Sequence, residues 1–297
     1  MATPGPELYQ YQPGDPRLPD GDRGSKLLAP LRAEGGKSVA IAVVSTVVFF
    51  VVLALIVVNS PGWDEVKRAF FSRAQFKESF PAIVRAFFVN VRLFILSEIL
   101  ILGLALVVAV MRSLPGPVFF PIRLFAMLYT DLFRGVPTIL VIYLLGFGVP
   151  ALGIQGVPDS PFLWGVVSLV LVYSAYVAEV YRAGIESVHG SQVAAARSLG
   201  LSRGQSMRFV ILPQAVRRVI PPLLNDFIGL QKDTVLVSYI GVVEAFRTAG
   251  IESAATFNFT PYVALAVVYL VITVPMTRFV DAMVARDRKR RQSGGAL

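Results

Sequence analysis

The chain of 297 residues is 55% hydrophobic and 16% charged, against about 25% charged residues in a soluble globular domain. So little polar surface, with a mean hydropathy of +0.65, excludes a disordered chain and a soluble domain of this size and leaves a bilayer as the solvent. The absence of cysteine and the single histidine, His189, exclude a disulfide framework, a thiolate metal site, a cysteine nucleophile and a histidine-rich metal centre. The net charge of +9 flanks apolar runs, so it reports membrane topology rather than a nucleic-acid partner.

Residues 1–37 hold Pro4, Pro6, Pro13, Pro16, Pro19 and Pro30 among glycines and mixed charges, without periodic apolar positions. This composition predicts a disordered tail. Ser38 to Val58 is an uncharged run of 21 residues, about 31 Å as a helix and long enough to cross the roughly 30 Å hydrocarbon core. It is too long, and too far from the start, for a cleavable signal, so a retained first span is expected. In 59–88, Trp63, Phe70, Phe71, Phe76, Phe80, Phe87 and Phe88 alternate with Lys67, Arg68, Arg73 and Lys77, the pattern of an amphipathic interfacial segment.

A second span is expected from about Val89 to Met111 and a third from Val118 to Gly148. The third is broken, because Asp131, Arg134 and Pro137 lie in its middle, where a lipid-facing helix tolerates neither the charges nor the lost backbone bond. The fourth runs from Phe162 to Ala178. A polar stretch then leads to a fifth, broken span, Phe209 to Val243, with Pro213, Pro221, Pro222, Asp226, Lys232 and Asp233 inside it. The sixth covers Tyr262 to Val280, before the basic run Arg286 to Arg291.

If the N-terminus is inside, the cytoplasmic segments hold 15 Lys and Arg, in 1–37, 112, 182–208 and 285–297, against 6 in the outer loops. The excess of basic residues predicts both termini in the cytoplasm. Five of those 6 lie in 59–88, which goes against the rule unless aromatics hold that segment at the interface.

Gly36-Lys37-Ser38 imitates the end of a phosphate-binding loop, but position 31 is leucine and a proline-rich tail precedes it in place of a strand, so no nucleotide site is expected there. An intramembrane hydrolase is disfavoured by the lone His189, which lies in the polar loop away from any buried serine.

The loop itself carries the strongest pattern: Glu179-Val-Tyr-Arg-Ala-Gly-Ile185, then Ala194-Ala-Ala-Arg-Ser-Leu-Gly200, then Val210-Ile-Leu-Pro213. Small residues at 194–196 allow close approach of another protein, Gly200 stops a short helix, and Leu201-Ser202 begins a second. Ala195, Ala196, Gly200, Val210, Leu212 and Pro213 fall on the spacing E-A-A, three residues, G, nine residues, I-x-L-P. At these positions the chain resembles the membrane permease subunits of bacterial ABC importers. The narrower resemblance, to the polar amino acid uptake branch, rests on Tyr129 to Pro137, Arg182-Ala-Gly-Ile185, Leu212-Pro-Gln-Ala215 and Asn225 to Gly241 with Lys232-Asp-Thr234. Departures are Ala194 for glutamate, His189 for proline and Val235 for serine.

The resemblance implies an all-α polytopic fold of about six spans, five in the permease core (85–285) and one added at the N-terminus (38–58). An interfacial segment (59–84), a disordered cytoplasmic tail (1–37) and a basic cytoplasmic tail (286–297) complete it. It implies a permease subunit in the bacterial cytoplasmic membrane that moves a polar amino acid by alternating access. Its partners would be a same or similar permease chain, two ATPase subunits that use the ATP, and an extracytoplasmic solute-binding protein, with no cofactor on this chain and no catalysis by it. The ATPase-coupling loop, 182–208, would present Gln192, Ala194, Ala195, Ala196 and Gly200, with Leu212 and Pro213 beyond it.

Candidate pathway residues are Glu98, Asp131, Arg134, Asn225 and Lys232. Glu98 either lines the pathway, pairs with a cation such as Arg134, or meets water at the lipid face. Asp131 and Arg134 share a helical face and can neutralise each other; Asn225, Gly229 and Lys232 form a polar stripe at i, i+4, i+7, and Asp233 points elsewhere as a cap or partner. Broken spans with buried charges suit an ion-gradient-driven amino acid transporter equally well.

Overall fold

The computed structural model describes residues 35–294, with side chains for 39–286; most of the 1–37 tail and the side chains of the basic tail lie outside the described residues. These residues form helices and turns, with no strand among them. The helices are α1 (Gly35–Val58), α2 (Trp63–Phe70), α3 (Arg73–Ser113), α4 (Phe120–Gly135), α5 (Thr138–Ala151), α6 (Pro161–Glu186), α7 (Gly190–Ser198) and α8 (Arg203–Ser206). A π-helical turn (Met207–Ile211), α9 (Leu212–Asp233), a 3-10 helix (Thr234–Ile240), α10 (Ala245–Thr256) and α11 (Thr260–Gly294) follow. Among the described residues, four helical stretches are long and apolar enough to cross a membrane, and two bent pairs bring the number to six if each pair is one span.

Contacts divide the chain after Glu65 into two units. In the first, residues 39–58 of α1 are predominantly apolar and none of them is buried. Its polar groups bond within the helix, as hydrocarbon surroundings require: the Ser45 and Thr46 hydroxyls donate to the Ala42 carbonyl at 3.0 and 2.7 Å. At its end Asn59 and Ser60 donate to the carbonyls of Leu55 and Val57, each at 2.7 Å, satisfying groups that a helix terminus leaves open.

In the second unit, α3 begins earlier than the apolar run predicts. The Ser72 hydroxyl caps it by accepting from the Gln75 N–H, and residues 73–88, expected in an interfacial segment, form its first turns. Ile83 and Phe87 pack there with Ala245, Ala249, Ala264 and Leu265, and Phe76 and Phe80 lie against them. Those aromatics are packing residues, because their three- and four-residue spacing gathers them on one face.

Pro137 breaks the third apolar stretch as expected. It caps α5 after an extended Val136, since proline lacks an N–H and excludes the helical region for its predecessor, and α4 and α5 bend by 103°. The fifth stretch breaks elsewhere. Pro221 and Pro222 stay inside α9, and the turn comes at Gly241, with φ of +99°, before α10 leaves at 53°. The main core, including Leu93, Ile101, Ile142, Leu169 and Val237, joins α3, α5, α6 and the 3-10 helix.

Candidate functional site

The loop after α6 folds into two short capped helices. His189 stands at the N-cap of α7, its Nδ1 accepting from the Ser191 N–H. Gly200 ends the turn with φ of +83°, a left-handed conformation that glycine adopts without a Cβ penalty. Ser202 and Gln205 then cap each other's backbone at 3.2 and 2.8 Å, the reciprocal arrangement that opens a helix. Gly200-Leu-Ser-Arg-Gly204 has the spacing of a hydrolase nucleophile turn, but no strand precedes it and its serine hydroxyl is engaged in this cap.

Val188, Ile211 and Ala215, with Ile185 and Val193, form a small core under the loop, and Ala196 is buried while Gln192, Ala194, Ala195, Gly200, Leu212 and Pro213 are exposed. Leu199 is 83% exposed beside them. The loop is seated firmly: a Cβ on Gly184 would stand 2.0 Å from Cγ2 of Val219, and the Arg218 guanidinium donates to the Ser187 carbonyl. The π turn runs directly into α9, which carries Pro213 at its second residue.

The pathway candidates are spread over three helices, α3, α4 and α9. Glu98 on α3 is half-buried and within electrostatic reach of Asp226 on α9, and an oxygen of Asp226 is buried without a hydrogen-bond partner. The pairing of Glu98 with Arg134 does not form. Arg134 instead lies 4.0 Å from Glu179 and over the Tyr176 ring, so it does not neutralise Asp131 either, and Asp131 is exposed. Asn225 and Lys232 are exposed, and Gly229 between them faces the Tyr173 hydroxyl. Asp233 accepts from that hydroxyl at 2.8 Å. Phe87, Phe94, Phe227, Gln231 and Met276 are among the residues lining a cavity of about 230 Å³ between α3, α9 and α11.

Two polar clusters join residues that the sequence did not bring together, although Glu179 and Arg182 stand in the loop pattern quoted above. Glu179 takes Arg112 at 2.6 Å and Arg182 on its two oxygens. Glu244, wholly buried, caps α10 by accepting from the N–H groups of Phe246 and Arg247 at 2.9 and 2.8 Å, and accepts from the Asn90 amide at 2.8 Å. Their partners stand 67 and 154 residues away. The available sequence signal was Asn90, a polar residue inside an expected span and so a functional candidate by default; Arg112, Glu179 and Glu244 stand just beyond the ends of expected spans.

The sequence profile of binding-protein-dependent transport system inner membrane components matches residues 103–289. The chain belongs to this family. It is 36% identical over 190 residues to the probable glutamine ABC transporter permease protein GlnM of Bacillus subtilis, covering 64% of this chain and 84% of that one. It is also 36% identical over 207 residues to the glutamate transport system permease protein GluC of Corynebacterium glutamicum, covering 66% and 90%. A solved amino acid ABC transporter with histidines superposes with a TM-score of 0.64 at 33% identity, over 69% of this chain and 94% of that one. In this transporter family the all-helical fold with broken spans is that of an ABC importer permease, and the ion-gradient reading has no support.

Proposed function

We propose that this chain is the permease subunit of an ATP-driven importer of a polar amino acid, in the cytoplasmic membrane with both termini inside. The observation that carries the reading is the loop 187–213: a buried Ala196 fixes α7 from below while Ala194, Ala195 and Leu199 stand exposed, offering a small-residue, apolar surface to another protein. Ala194 removes the glutamate of the common motif, so this surface docks by shape and apolar contact rather than through a salt bridge at that position. Two ATPase subunits seat on the loops of a permease pair and hydrolyse the ATP. An extracytoplasmic binding protein delivers the amino acid, and rocking of the broken spans alternates access.

In this reading Glu98, Asp131, Arg134, Asn225 and Lys232 border the path. The identities of the relatives' cargoes, glutamine and glutamate in their names, support a polar amino acid. The test reconstitutes the permease with the ATPase and binding protein encoded beside it and offers a radiolabelled mixture of glutamine, glutamate, arginine and histidine. Uptake that requires ATP and the binding protein and persists when ion gradients are dissipated is expected. Uptake that collapses with the gradient alone overturns the proposal.

A further inference from the structure

Two polar sites described above sit at the ends of one stretch of α3. At one end Arg112 donates to Glu179 on α6 at 2.6 Å and to the Thr130 hydroxyl on α4 at 3.1 Å. Glu179 also holds Arg182, which continues to Glu186 at the mouth of the loop. Arg112 and Glu179 are only 16% and 20% exposed, so this pair is stronger than a solvated surface pair. At the other end the Asn90 amide donates to Glu244 and to Thr234 at 2.8 and 3.2 Å, and its oxygen accepts from the Ala245 N–H at 3.1 Å. Thr234 opens the 3-10 helix and Ala245 opens α10, so Asn90 grips both arms of the bend at Gly241.

Between these ends α3 is continuous helix without a proline. Its buried stripe, Leu93, Ser97, Ile101, Ala105 and Val108, runs at three- and four-residue intervals from Asn90 to Arg112, on one face. Twenty-two residues of helix separate the two by about 33 Å. A helix packed along such a stripe moves as a body, and packed contacts switch between discrete arrangements rather than deforming continuously.

We propose that α3 is a lever arm: Glu179 clamps its loop-side end, Asn90 holds the bend between the 3-10 helix and α10, and the helix carries motion of the loop to that bend. Glu179, Arg112 and Asn90 are positioning residues that touch no cargo. This rests on the importer reading and adds to it a route by which ATPase closure reaches the far side of the chain.

The test uses the complete reconstituted transporter and the same labelled amino acid mixture, measuring uptake and binding-protein-stimulated ATP hydrolysis in parallel. Glu179→Gln and Asn90→Ala should each lower uptake by about tenfold or more and remove most of the stimulation by the binding protein, while hydrolysis measured without the binding protein stays within about twofold of wild type, because a broken link uncouples the two faces in both directions. Sites so far apart act additively when independent, so the double variant decides whether α3 links them: its uptake should be no lower than that of the worse single variant. If either variant fails to assemble, Arg112→Lys and Thr234→Val make the same measurement at the two ends. Wild-type uptake in a single variant, full stimulation by the binding protein where uptake is lost, or losses that multiply in the double variant would each overturn the lever. A wild-type complex that takes up nothing with ATP overturns the importer reading instead.

Discussion

Two glycines at the loop are needed for opposite reasons, and their variants separate them. Gly200 has open space around its missing Cβ but a φ of +83°, so Gly200→Val meets backbone strain of about 1–2 kcal/mol. The expected result is an intact helical membrane core by circular dichroism with weakened ATPase binding in pull-down. Gly184 has ordinary φ but no room, since Val219 occupies the place of a Cβ. Gly184→Leu should therefore lower the thermal midpoint in detergent by overpacking, costing about 1–3 kcal/mol. Ala195→Trp tests the docking face alone: it is exposed, so stability should stay within about 0.5 kcal/mol while ATPase co-purification falls. Glu244→Ala removes a cap, worth about 0.5–2 kcal/mol, and its loss should appear as a lower thermal midpoint. The loop residues were legible in sequence because their chemistry is local and their spacing fixed. Arg134 was not, because its choice between Glu98, Asp131 and Glu179 depends on which helices meet.

At the scale of elements, hydropathy found the spans and Pro137 announced the bend of the third. The fifth misled, since Pro221 and Pro222 are carried inside α9 and Gly241 makes the turn. In α9 each proline stands within the helix, and neighbouring helices can satisfy the freed backbone groups in a membrane. The π turn at 207–211 was invisible to periodicity, because five residues are too few to show a change of period. It holds one residue more than an α turn. Deleting Phe209, which is 62% exposed, should convert the π turn to an α turn with little rotation of the chain beyond it, because five residues at π spacing and four at α spacing advance by nearly the same angle. Arg218 should then keep the Ser187 carbonyl, and uptake should survive. Phe209→Ala should retain uptake as well, and loss in both transport assays would show that the Phe209 side chain itself is needed.

For the whole molecule, topology follows from the basic residues, and reporter fusions after residue 155 and at the C-terminus should fall on opposite sides of the membrane. The same side for both would invert the arrangement. The buried contacts of α3 with the C-terminal third also set an order in time. Asn90 enters the membrane 154 residues ahead of Glu244, and at about 5–20 residues per second of synthesis it waits roughly 8 to 30 s for that partner. During the wait its amide has no hydrogen-bonding water in the hydrocarbon. A nascent chain stalled before residue 244 is therefore an unfinished molecule with a polar group in the wrong solvent, and protease surveillance in the membrane should remove it faster than a chain stalled after residue 269.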